Sequence, residues 1–153
     1  DIHLSIVQAL PLNGAVVVST PQNVALADAK KGIAMFQQES INVPVLGIVE
    51  NMSYFTPAEL PDNKYYIFGK KGAEYLAKDK GVPFLGALPL VQSIREAADV
   101  GRPAVLQDQS SLANHFDEIT KKLVAQTLFR NKNLPPTKAV EITNLVGCEA
   151  VKS

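Results

Sequence analysis

A chain of 153 residues, 46% hydrophobic and 20% charged, fits one ordinary globular domain with enough apolar mass for a real core. Its 15 basic and 15 acidic side chains cancel, which removes any overall electrostatic drive towards nucleic acid or an anionic membrane surface. One cysteine, Cys148, excludes an intramolecular disulfide framework and fits a reducing, cytoplasmic setting, and no apolar stretch is long enough to span a bilayer.

The opening Asp1-Ile2-His3-Leu4 has neither the pattern of a signal peptide nor an initiator Met, so a fragment or processed product is expected. Over 2–10, Ile2, Ile6 and Leu10 recur at four-residue steps and predict a short helix with those three on one side. Ala15-Val16-Val17-Val18 is a β-branched run that reads as a buried strand. Ser19-Thr20-Pro21-Gln22-Asn23 breaks it and offers Asn23 as the N-cap of a helix over 24–38, whose Leu26, Ala29, Ile33 and Phe36 make one buried stripe.

A second strand is predicted over 45–49 and an irregular segment over 52–68, broken by Pro57, Pro61 and Asp62-Asn63. A helix over 69–80 then ends on Gly81, a good C-cap residue. The third strand is expected over 84–88 and a short helix over 91–100, stopped by Gly101 and Pro103. A longer helix capped by Ser110 or Ser111 runs to about Arg130 and buries Leu112, Phe116, Ile119 and Leu123. Pro135-Pro136 ends that region, and 138–143 is expected to be an edge strand. Strands alternating with helices imply parallel βαβ units with right-handed crossovers.

The polar residues that could carry chemistry gather where strands end. Glu50, Asn51 and Ser53 close an apolar strand at the edge where parallel sheets hold ligands. The Asn51 amide donates and accepts at once, which suits the edge of a purine; the competing reading is a turn closed on its own backbone. Pro89, Leu90 and Val91 form a second loop at that edge, either flanking a flat ring or simply connecting strand to helix. Gln22 either touches a nucleotide or belongs, with Pro21 and Asn23, to helix initiation. Arg95 and Glu96, and Asp28 with Lys30 and Lys31, read as solvated helix charges.

Tyr54, Phe55, Tyr65, Tyr66 and Phe68 crowd one irregular segment, as a satellite core or a subunit interface. His3 and His115 are isolated, no Cys/His pair has zinc spacing, and Cys148 reads as a free thiol unable by itself to hold an iron–sulfur cluster. Neither a phosphate-binding loop nor a Gly-x-Ser-x-Gly elbow is present.

Five segments in order, Gly14-Ala15-Val16-Val17-Val18-Ser19-Thr20-Pro21-Gln22-Asn23-Val24-Ala25-Leu26-Ala27-Asp28, Val43-Pro44-Val45-Leu46-Gly47-Ile48-Val49-Glu50-Asn51-Met52-Ser53, Ile67-Phe68-Gly69, Val82-Pro83-Phe84-Leu85-Gly86 and Ile94-Arg95-Glu96-Ala97-Ala98-Asp99, closely resemble the Mrp-type P-loop ATPases of the MinD/ParA group, which are iron–sulfur cluster carriers. The similarity runs over 1–108. It implies a cytoplasmic homodimer that binds ATP with Mg2+ and delivers clusters to apoprotein clients. It puts Asn51 on the family's adenine-recognising Asn and the Pro89–Val91 loop where backbone flanks the base. Gln22 falls in its Thr-Pro-Gln segment. Neither nucleic acid nor membrane is an implied partner: the balanced charge lacks ParA's basic face, and 145–153 lacks MinD's basic amphipathic tail.

Two departures matter. The family's Lys-Gly-Gly-Val-Gly-Lys-Ser loop and its magnesium-binding Asp segment lie upstream of any residue here, and phosphoryl transfer needs both. Residues 1–153 alone are therefore expected to be inactive as an ATPase. Where many members carry Cys-Pro-x-Cys, this chain has Thr56-Pro57-Ala58-Glu59, which argues against a cluster held in the family's manner. The sequence thus predicts an α/β fold, a partial three-layer α/β/α sandwich with a parallel sheet, P-loop NTPase-like but lacking its phosphate-loop half. Residues 1–130 form the carboxyl half of that domain and 131–153 an extension. Such a truncated sheet exposes an edge and an apolar face. The alternative is a non-enzymatic interaction module that uses the aromatic 54–68 segment.

Overall fold

The computed structural model describes residues 2–106 and 111–140. Three strands, β1 (Ala15–Ser19), β2 (Val45–Glu50) and β3 (Phe84–Ala87), form a parallel sheet in the order β1-β2-β3. The helices between them are α2 (Asn23–Phe36), α3 (Gly72–Lys80) and α4 (Gln92–Asp99). Helix α1 (Ile2–Ala9) precedes the sheet, and a 3-10 turn (Ala104–Leu106) and α5 (Ser111–Asn133) follow it. Ser19 faces Glu50 and Glu50 faces Ala87 across the ladder, so the three strands finish level at one edge.

Layering follows from which side chains each strand turns to which face. Strand β2 is central and buried on both faces, which explains its uninterrupted apolar run. On one face α2 and α3 cover Ile48 with Ala29, Ile33, Ala73, Leu76 and Ala77. Ile33 and Ile48 are fully buried, each contributing roughly 2–3 kcal/mol by removal from water. On the other face α5 lays Phe116, Ile119 and Leu123 over Val49, Leu85 and Leu88. That arrangement is the predicted α/β/α sandwich. Helix α5 packs on β3 and β2, and Val16 and Val18 of β1 stand exposed, Val18 by 61%.

Several local expectations are corrected. Gln22, not Asn23, caps α2; it has extended backbone and no side-chain cap bond, because the chain enters the helix directly from Pro21. Helix α3 starts three residues later than predicted, since Lys71 adopts a left-handed φ of 59° that interrupts helical backbone. Its end on Gly81, at φ 63°, is as expected. The Ile2, Ile6 and Leu10 stripe faces outward; α1 instead buries Val7 against Ile41 and Val43. Helix α5 continues past Arg130 to Asn133. Residues 138–140 form no strand: the Val140 N–H donates to the Val7 carbonyl of α1 at 2.9 Å, away from the sheet. The rest of the expected edge strand, and Cys148, lie outside the described residues.

Candidate functional site

The carboxyl ends of the three strands build one continuous rim. The Asn51 N–H donates to Ser19 O at 2.8 Å, tying the β2 tip to β1. Leu88 N–H donates to Glu50 O at 2.8 Å, Ser53 N–H to Leu88 O at 2.9 Å and Leu90 N–H to Tyr54 O at 2.7 Å. The two loops that carry Asn51 and Pro89-Leu90 are therefore laced together beyond the last ladder pair. Val91 has extended backbone and caps α4 without a side-chain bond.

Glu50 organises this rim from below. Only 1% of it is exposed. Its Oε1 accepts the Ser53 hydroxyl at 2.6 Å and its Oε2 accepts the Ala73 N–H in the first turn of α3 at 2.8 Å. A carboxylate at a helix N-terminus meets both unpaired amides and a favourable dipole. Gly72 makes the approach feasible, because a Cβ there would lie 2.5 Å from the Pro21 carbonyl oxygen. Helix α3 can thus press against both the β1 tip and Glu50. In the sequence Glu50 is only a polar residue at a strand end, and its role is not legible there because its partner Ala73 is 23 residues away.

Asn51 is half-buried, and its Oδ1 accepts the Met52 N–H at 3.0 Å, with Met52 left-handed at φ 54°. The local turn and an outward-facing amide are compatible, because a carbonyl oxygen has a second lone pair and Nδ2 has no partner among the described residues. Asn51 borders a cleft of about 370 Å3 whose other walls are Val18, Ser19, Thr20, Ala25, Asp28 and Ala29. Thr20 also lines this wall, but its hydroxyl is buried beneath the surface without a hydrogen-bond partner. Pro89, Leu90 and Val91 lie on the far side of Asn51 and do not line this cleft. Gln22 is exposed at the start of α2 and also does not line it. Asp28 reaches the cleft while paired with Lys31 at 3.3 Å, both side chains largely in water.

Beyond the rim, the irregular 52–68 segment contains an isolated antiparallel bridge, Phe55 to Tyr65. Lys64 Nζ sits 4.3 Å from the Tyr54 ring centroid and Lys70 Nζ 4.8 Å from that of Tyr66. The Tyr54 hydroxyl lies 3.2 Å from His115 Nε2 on α5. Phe55, Tyr65, Tyr66 and Ile67 are exposed, which fits a contact surface better than a satellite core. Among the described residues no group of His, Cys, Asp and Glu has a metal-holding arrangement, and no helix is long and apolar enough to cross a membrane.

A parallel sheet with helices on both faces and a polar rim at its carboxyl edge defines a doubly wound α/β domain of the ligand-binding kind. Its relatives agree. Residues 1–124 match the family described as ParA, the NUBPL iron-transfer P-loop NTPases, and the chain belongs to that family. It is 46% identical over 127 residues to the iron-sulfur cluster carrier protein of Synechocystis sp., covering 82% of this chain and 35% of that protein. Among solved structures, a nucleotide-binding protein of Archaeoglobus fulgidus in complex with ADP is 33% identical with a TM-score of 0.59, over 74% of this chain and 44% of the other. The cell division ATPase MinD of Pyrococcus furiosus, 24% identical, shares the fold with a TM-score of 0.55, over 74% and 43%. The chain spans about a third of the length of the curated relatives it matches.

Proposed function

We propose that this chain is the base-side part of a nucleotide-dependent iron–sulfur cluster carrier, its phosphate-binding part lying outside these 153 residues. The observation that carries the reading is the laced rim, with the half-buried Asn51 amide on the wall of a cleft and its Nδ2 without a partner among the described residues. That amide, a donor and an acceptor together, suits the edge of an adenine. The triphosphate does not: no residue here supplies a Gly-rich loop with its Lys, so we derive no phosphoryl-transfer step and expect no ATP hydrolysis by this chain alone. The open Val16/Val18 face of β1 supports a covering element supplied by a longer protein. We read that protein as a cytoplasmic homodimer that passes clusters to apoproteins. Thr56 and Glu59 offer the cargo no thiolate, so it is not held at that position.

The test is a fluorescence titration of the chain with an adenine and a guanine nucleoside diphosphate. Saturable binding that prefers adenine, and that Asn51→Ala weakens about fivefold (~1 kcal/mol for one neutral hydrogen bond), is expected. Binding indifferent to the base or to Asn51→Ala overturns the assignment. A second reading, a protein-contact surface over 54–68, is favoured by the exposure of Phe55, Tyr65, Tyr66 and Ile67. It belongs to the same molecule and does not compete with the rim.

A further inference from the structure

The opposite, amino-terminal edge of the sheet holds a buried cation with no countercharge among the described residues. Arg130, in the last turn of α5, exposes only 8% of its surface. Its Nη1–H donates to Asn131 Oδ1 at 3.2 Å, and that oxygen also accepts Asn13 Nδ2–H at 2.9 Å. Its Nε–H is buried and reaches no acceptor. Among the described residues no carboxylate lies within 4.0 Å of the guanidinium. Carbonyls at the end of α5 favour a cation in that turn, yet they leave Nε unsatisfied. With Nη1 engaged and Nε enclosed by protein, Nη2 is the nitrogen left to meet a carboxylate oxygen.

A cavity of about 490 Å3 opens beside this guanidinium, walled by Leu12, Val43, Pro44, Leu134 and Pro136, with Lys138 also in its lining. That volume lies within the roughly 300–1,000 Å3 of small-molecule sites, which are mostly apolar with a few convergent polar groups. A buried charge without a partner is costly, and a matching anion removes the cost. Two cations and an apolar wall select an anion with an apolar body.

We propose that this cavity binds a small organic carboxylate, gripped by Arg130, steered by Lys138 and housed by the prolines and leucines. The site is remote from the strand-tip rim and independent of the nucleotide reading. The experiment titrates the full 153-residue chain with hexanoate, its neutral analogue hexanamide and inorganic phosphate, following the backbone amide signals of Asn131 and Val140 by NMR. Saturable hexanoate binding is expected, with hexanamide and Arg130→Gln each weaker by about tenfold or more, as befits a charge-assisted hydrogen bond, and Lys138→Gln intermediate. The hexanamide comparison uses the unaltered chain and stands even if Arg130→Gln fails to fold. No saturable shift, or equal binding of hexanamide or phosphate, overturns the proposal.

Discussion

Among the described residues two charged side chains are almost completely buried, at opposite edges of one sheet. Glu50 at the carboxyl edge has a donor on each oxygen, from Ser53 and from the start of α3. Arg130 at the amino edge keeps an orphan Nε–H and faces a cavity. The difference teaches what each burial is for. A fully satisfied charge fixes geometry, here the loop that carries Asn51. An unsatisfied one costs stability, which an anion beside it would offset.

That contrast can be broken by substitution. Removing the satisfied charge has the largest expected effect. Glu50→Ala leaves the Ser53 hydroxyl and the Ala73 N–H without partners and should cost about 3 kcal/mol, at roughly 1–3 kcal/mol per buried unsatisfied group. A lower urea midpoint reads it out, and Glu50→Gln should recover part of the loss by accepting one of the two bonds. A loss below that of an ordinary surface change would show that Glu50 does not hold the rim together.

Next comes the close approach on which the Glu50 network depends. Gly72→Ala places a methyl 2.5 Å from the Pro21 carbonyl oxygen, so α3 must withdraw from the β1 tip. We expect a loss of about 2 kcal/mol, within the usual range for overpacking, together with shifted amide signals at Ala73 and Ser53. Unchanged signals would detach Gly72 from the site.

The unsatisfied charge should respond with the opposite sign. Arg130→Met keeps the apolar stem and removes the unpaired guanidinium, so the ligand-free chain should gain about 1 kcal/mol in thermal or urea unfolding. A clear loss would mean that the guanidinium is stabilised in place. The smallest effect belongs to the surface. Asp28→Asn breaks an exposed pair with Lys31 and should change stability by less than about 0.5 kcal/mol; a larger change would give Asp28 a structural part in the cleft wall.

The alternation of strands and helices was legible because it is local. Ala15 to Val18 and Val45 to Val49 are apolar runs bounded by Pro21 and by Asn51-Met52-Ser53, and Ala29 and Ile33 recur at helical spacing. Periodicity identifies a face but not what covers it. Ile2, Ile6 and Leu10 share one side of α1, yet that side is exposed and the helix turns Val7 inward. At the rim, the residue types that end β2 were readable from their position. What was not readable was the wall of the Asn51 cleft, which comes from β1 and α2 rather than from the Pro89–Val91 loop.

The sequence by itself determined the element order, the parallel α/β class and the family, because all three rest on residues that are near neighbours along the chain or on motifs in order. Only the tertiary structure decided which polar groups are satisfied. Glu50 finds Ala73 across 23 residues, and Arg130 is enclosed by segments as distant as Asn13 and Val43. Hydrogen-bond satisfaction depends on distances of a few tenths of an ångström between groups far apart in sequence, and folding alone brings those groups together.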